Sequence, residues 1–157
     1  GVQPRSINPH LSHPIYNSGN RFSIMYRNSR TTARHVADGL SSTIMVVECG
    51  ARPLVFRRRQ PERSLSNDQG IGWIDSEGAF SLDGASGDGE VEGCGPDDGC
   101  TFAMNRKNDN EPFSFHAGGG NYLYGDGHVQ YVRDSVPLTL LASLCTATGG
   151  EIVNATD

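Results

Sequence analysis

The sequence predicts an α+β fold dominated by short antiparallel strands, and three observations carry that prediction. Twenty Gly and eight Pro accompany only 36% hydrophobic residues, a composition of many turns and short strands that disfavours a helical bundle. The apolar residues gather in brief β-forming runs instead of one long stripe. A single helical period, from Pro137 to Ala147, comes near the end.

Residues 1 to 20 carry Pro4, Asn8, Pro14, Asn17 and Gly19 without an apolar period and read as an irregular lead-in. Arg21 to Tyr26 alternates well enough for a strand, and Ser42 to Glu48 is a second β-rich run beyond the turn signal Asp38-Gly39. The unbroken tetrad Ile44-Met45-Val46-Val47 predicts a central strand covered on both faces. The polar stretch 57 to 70, which opens with Arg57-Arg58-Arg59, and the glycine- and acid-rich stretch 83 to 100 read as solvated loops. Short strands are expected at Gly72-Trp73-Ile74 and Ala79-Phe80-Ser81-Leu82, with Trp73 in the core.

Asn121 to Tyr124 and Val129 to Val132 are β-formers around Gly125-Asp126-Gly127-His128, and Asp-Gly is a strong hairpin signal because both positions tolerate positive φ. A two-residue Asp126-Gly127 loop would pair Tyr124 with Val129 and Tyr122 with Tyr131, all on one face. Pro137 then opens a helix with Leu138, Leu141, Leu144 and Cys145 at helical spacing, ended by Gly149-Gly150. Residues 21 to 157 are thus expected to form one globular domain.

Thirteen Lys and Arg stand against eighteen Asp and Glu, a net charge of -5, so no basic face suited to nucleic acid is implied. The longest apolar runs fall far short of the ~20 residues a membrane-spanning helix needs. Four cysteines allow three pairings in an oxidising compartment. Cys94 and Cys100 bracket a turn-rich loop whose ends can meet, and their C-x5-C spacing is not that of a zinc site. Cys49 and Cys145 lie in apolar contexts and are expected to be buried thiols.

The residues from His116 onward resemble a known family. His116, nine intervening residues, then Asp126-Gly127 is similar to the H-x9-D-G pattern of the C-terminal domain associated with prepilin-type processing in bacterial proteins. Phe113 to Asn121 resembles that family's S-F-H-P-G-G-x-N segment, with Ala117 for the usual proline, and Tyr122 to Val129 its V-L-F-A-D-G-S-V hairpin. Tyr26 to Arg30, Asp38 to Glu48, Asn105 to Glu111 and Leu144 to Glu151 add to the likeness, which spans about residues 21 to 153 apart from 57 to 99. Arg106 stands where the family often has a cysteine, so no disulfide at that position carries over.

The resemblance implies a pilin-like globular head, normally preceded by a leader and a long apolar helix. Neither is found in this sequence, which is therefore expected to be a processed or truncated head. It implies a non-enzymatic subunit of a pilus-like or type II secretion-like filament at the cell envelope, periplasmic or on the extracellular surface. The implied partners are other pilin-like subunits or secretion-system components, and the implied membrane contact is only through the N-terminal helix. A surface module recognising a glycan or protein is the first alternative, and a hydrolase using His116 the second.

His116, Gly118, Gly119, Asn121, Asp126 and Gly127 are the motif residues, and their expected role is scaffold. A base needs a nucleophile beside it, and no G-x-S-x-G, H-E-x-x-H or paired Cys/His signature accompanies His116. Turn chemistry accounts for Asp126, and the His116 imidazole is expected to pin the glycine-rich loop by bonding its backbone. His10 and His13 make only a weak H-x-x-H. No cofactor is required, but the best place for a calcium ion is the acidic loop, with Asp83, Asp88, Asp97 and Asp98 as candidate oxygens. A solubilising acidic loop is the plainer reading.

Overall fold

A computed structural model of the chain describes residues 3–7, 19–26, 28–72, 79–109 and 111–151. Among the described residues nine strands and one α-helix follow one another: β1 Gln3–Ile7, β2 Ile44–Val47, β3 Leu54–Arg57, β4 Gln60–Ser66, β5 Ala79–Leu82, β6 Gly84–Ala85, β7 Glu92–Cys94, β8 Gly119–Tyr124, β9 Val129–Arg133 and α1 Leu138–Cys145. The pairings are mostly antiparallel, and the fold is the expected α+β, β-rich one. The main sheet runs β2-β8-β9, and β3-β4, β6-β7 and the parallel β1-β5 make two-stranded sheets.

The expected C-terminal hairpin forms as β8 and β9, but one residue out of the expected register. Leu123 pairs with Val129, Tyr122 with Gln130 and Asn121 with Tyr131. The Tyr124 N–H donates to the His128 carbonyl, and the Gly127 N–H to the Tyr124 carbonyl. The loop is therefore three residues, Gly125-Asp126-Gly127, with Gly127 at φ 93°, the left-handed position that glycine fills without steric cost. Because side chains alternate, this slip separates the residues expected on one face. Tyr122, Tyr124 and Val132 face the core, and Val129 and Tyr131 face solvent.

β2 is the edge of its sheet and not the centre, which is β8. Its ladder breaks between Ile44 and Val46. That irregularity lets Ile44 and Val47, three apart, both reach the main core, while Met45 packs on a smaller cluster with Ile24 and Val36. Helix α1 lays Leu138, Leu141, Ala142 and Cys145 onto the main core beside Leu82 and Met104.

Several expectations are corrected. Gln3–Ile7, inside the expected irregular lead-in, is a strand, and Arg21 to Tyr26 is not: only Phe22 makes a bridge. The polar stretch 57 to 70 holds the turn and second strand of the β3–β4 hairpin, turned by Arg58 and Arg59 at φ 48° and 66°. Its mostly exposed side chains left no apolar alternation to read. The acidic stretch is folded too. β6 pairs with β7, Ala85 exchanges backbone bonds with Phe102, and the expected Cys94–Cys100 disulfide closes the loop at a Cα–Cα distance of 5.5 Å. Cys145 is a buried free thiol as expected, whereas Cys49 is only partly buried. Trp73, Ile74, His10 and His13 lie outside the described residues.

Gly84 shows how tightly the acidic segment meets the core. A Cβ there would lie 2.3 Å from the Cys100 carbonyl oxygen and 2.7 Å from Leu138 Cδ2, whereas one at Gly72 meets nothing within 4 Å. Gly84→Ala is expected to lower the unfolding free energy by about 1–3 kcal/mol in urea titration. Gly72→Ala should leave it unchanged, and equal effects would contradict this packing.

Candidate functional site

The motif residues gather around a carboxylate that the sequence reading did not single out. Glu48 follows β2, with its backbone tied to the segment before His116: its carbonyl accepts the Phe113 N–H, and the Gly50 N–H donates to the Phe113 carbonyl. This leaves the side chain aimed across the sheet at β8. Glu48 Oε2 accepts the Asn121 N–H at 2.9 Å, Oε1 the Asn121 amide at 3.4 Å, and His116 Nε2 stands 3.5 Å from Oε1. Burial pushes the Glu48 carboxyl up, but the Asn121 N–H, the Ser114 hydroxyl, the Asn121 amide and His116 together hold it below its usual range. Glu48 is thus an ionised acceptor at neutral pH.

His116 is exposed, its N–H donates to Ser114 Oγ at 3.1 Å, and Arg59 Nη2 donates to its carbonyl at 2.5 Å. The imidazole faces a side chain and not loop backbone, correcting the expected contact. The loop is held instead by the Tyr131 hydroxyl, which donates to the Ala117 carbonyl. Gly118 turns at φ 77°, and a Cβ on Gly119 would lie 2.1 Å from the Val132 carbonyl oxygen, so no side chain fits beneath the Tyr131 ring.

Asp126 belongs to a different group. Its Oδ1 accepts the His128 N–H at 3.0 Å and lies 2.7 Å from His128 Nδ1, while the His128 ring stacks on Tyr124. The His128 N–H, then its ring, lower the Asp126 carboxyl. Six residues of β8 separate the two ends of the motif, roughly 20 Å of strand. The structure therefore brings His116, Gly118, Gly119 and Asn121 together and leaves Asp126 and Gly127 at the far tip.

A cleft of about 420 Å³ opens beside Glu48, lined also by Cys49, Ser114, Phe115 and His116. Phe115 is 52% exposed, and its ring meets Phe56 and Phe113 edge-on at 5.1 and 5.4 Å. The Cys49 thiol points to the carbonyls of Asn108 and Glu111, and burial raises its pKa. It is a protonated thiol at neutral pH, the opposite of an activated nucleophile.

The candidate calcium oxygens do not converge. Asp83 is buried beside Glu111. Asp88 accepts the Ser86 hydroxyl and the Glu90 N–H, and Asp97 and Asp98 sit exposed in the one-turn helix Pro96–Asp98. Among the described residues no three His, Cys, Asp or Glu side chains group as metal ligands. Behind the cleft, Glu111 is wholly buried. Burial first, then the Asp83 and Glu92 carboxyls, raise it well above the usual range. Lys107 lies between Glu92 at 3.0 Å and Asp109 at 2.9 Å. Glu48 and Glu111 appeared in the sequence only inside matched segments, because a lone acid has no period that marks it as buried or central.

A family model described as "Protein of unknown function (DUF1559)" matches residues 8–139. No curated protein and no solved structure matches the chain.

The two glutamates should respond oppositely to pH. A depressed carboxyl stabilises the fold above its unfolded pKa and loses that contribution as pH falls, so the deficit of Glu48→Gln should shrink towards acid. A raised carboxyl stabilises below its unfolded pKa and loses that contribution as pH rises through the folded value. Glu111→Gln should therefore gain on the native chain towards alkaline pH. Urea midpoints from about pH 3 to 9 measure both; parallel curves for either pair would contradict its assignment.

Proposed function

The chain belongs to the DUF1559 family, a family associated with prepilin-like proteins, and from that premise we propose that it is a non-enzymatic structural subunit of a pilus-like or type II secretion-like assembly at the cell envelope. The observation that carries this reading is how the two ends of the H-x9-D-G motif are used. His116 is engaged with the ionised Glu48, and Asp126 with the turn and His128. The motif thus builds the strand entry and the hairpin tip of the central sheet. A general base needs its nucleophile within hydrogen-bond reach, and the polar partner of His116 Nε2 is a carboxylate.

The Cys94–Cys100 disulfide suits an oxidising compartment and is compatible with a secreted or envelope protein. Among the described residues no helix is long and apolar enough to cross a membrane. Attachment through an N-terminal apolar helix, other pilin-like subunits as partners and an envelope location are parts of this proposal.

A second reading, recognition of a glycan or protein at the surface, is favoured by the cleft itself. An exposed aromatic ring beside an ionised carboxylate and an imidazole offers a stacking face with hydrogen-bonding groups at its edge.

The test is the whole protein in its own cells. Envelope fractionation and immunolabelling should place it in high-mass surface assemblies, and His116→Ala should leave its incorporation measurable. Purely cytosolic monomers would overturn the proposal. Hydrolytic turnover by the purified chain that vanishes in a folded His116→Ala variant would replace it with the enzymatic alternative.

A further inference from the structure

Among the described residues β9 is an edge strand, and the hydrogen-bond phase of its ladder defines what that edge offers. The Tyr124 N–H reaches the His128 carbonyl and the Asp134 N–H the Gly118 carbonyl. With the observed register, His128, Gln130 and Val132 therefore turn their backbone groups towards β8. Val129, Tyr131 and Arg133 turn theirs outward. The Arg133 carbonyl already accepts the Val136 N–H but keeps a second lone pair.

Among the described residues this edge carries few of the usual protections. Natural edge strands are blunted by Pro, charged side chains (Lys above all), bulges or inward-pointing charges. β9 reads Val-Gln-Tyr-Val-Arg, with neither Pro nor Lys and a single charge, Arg133, at its end. The other described ladders all carry a register break, and β8–β9 has none. Val129 and Tyr131 are 61% and 44% exposed.

Extending the assembly reading above, we infer that β9 is a self-pairing edge: two copies of this chain join β9 to β9, antiparallel, about a twofold axis at Tyr131. Three strands then become six. A twofold there sets Tyr131 opposite itself as a hydrogen-bonded pair, which the outward phase of its backbone groups allows. On the solvent face each Val129 meets the aliphatic stem of the other copy's Arg133, and each Arg133 guanidinium lies diagonal to a Tyr131 ring, a cation–π arrangement. On the opposite face each His128 stands across from the other copy's Asp134, placing a base opposite an acid. The edge is thus complementary to itself in shape and charge.

One strand pair buries well under the ~1,200 Å² of a standard stable interface. The contact is therefore weak between free heads and becomes stable where neighbouring subunits raise the effective concentration.

Disulfide trapping reads the register directly, in a Cys49→Ser background that removes the partly exposed thiol. At about 1 mM, a mixture of Val129→Cys and Arg133→Cys chains should cross-link at least about tenfold faster than either alone. Tyr131→Cys should cross-link with itself, since a hydrogen-bonded antiparallel pair places the Cα atoms about 5.5 Å apart. Equal rates in every arm, or no cross-linking, overturn the pairing. Hydrogen exchange on the unmodified chain is independent of any substitution. Raising the concentration from about 10 μM to 1 mM should slow the Val129 and Tyr131 amides and leave Gln130 and Val132 unchanged. Exchange that ignores concentration would sink the idea. A chain found in envelope assemblies that fails both measurements keeps the assembly reading and loses this one. A chain that passes both but is never found there does the reverse.

Discussion

The fold depends on satisfying buried backbone in segments that are not strands. Residues 103 to 105, 108 and 111 to 114 are buried, yet they belong to no sheet. Each buried N–H and C=O needs a partner. Asn108, fully buried, bonds this segment to Gly50 and to β3: its amide donates to the Gly50 and Leu54 carbonyls at 2.9 and 2.8 Å, and its Oδ1 accepts the Phe56 N–H at 2.7 Å. Asn105 does the same between Ser114 and Gly119, at 2.8 and 3.3 Å, from a left-handed backbone at φ 61°. These two amides do the work of absent ladders. They fix the segment that leads into β8 and so the position of His116.

Glu48 extends that logic across the sheet. It sits where β2 ends and the β8 ladder begins, and its carboxylate takes the Asn121 N–H as a strand carbonyl would. Ionised carboxylates accept such bonds more strongly than neutral oxygens do. The site is consequently anchored through its acid, and the imidazole beside it stays exposed. Glu111, far along the chain from Glu48, shows the contrary environment: no access to water, with burial and the neighbouring Asp83 and Glu92 carboxyls outweighing the one backbone bond from Asp83. Two glutamates of one small domain thus occupy opposite electrostatic settings, and burial relative to hydrogen-bond donors decides between them.

The acidic, glycine-rich segment illustrates how a small domain recruits an unpromising stretch of chain. Its disulfide closes a loop of few residues, Gly84 lets the backbone touch Cys100 and Leu138, and Ala85 is fully buried. The Arg57 guanidinium pairs with Glu90 of this segment and with Glu62 of β4, linking two peripheral hairpins. Such partly exposed pairs add little stability individually, but they fix which hairpin lies against which.

The sequence by itself determined the fold class, the C-terminal hairpin, the last helix and the local disulfide. Each is set by short-range chemistry: β-forming runs, a glycine at a tight reversal, helical spacing after Pro137, and two cysteines six apart. Tertiary structure decided the rest. The hairpin loop is tied to a distant segment, with the Gly125 N–H donating to the Thr43 carbonyl and the Asp126 N–H to the Leu40 carbonyl, bonds that no pattern within the hairpin records. The arginine-tipped β3–β4 hairpin and the central role of Glu48 were hidden for the same reason. A polar residue's place depends on which distant donors, acceptors and apolar surfaces the folded chain brings against it, and local spacing carries no information about those partners.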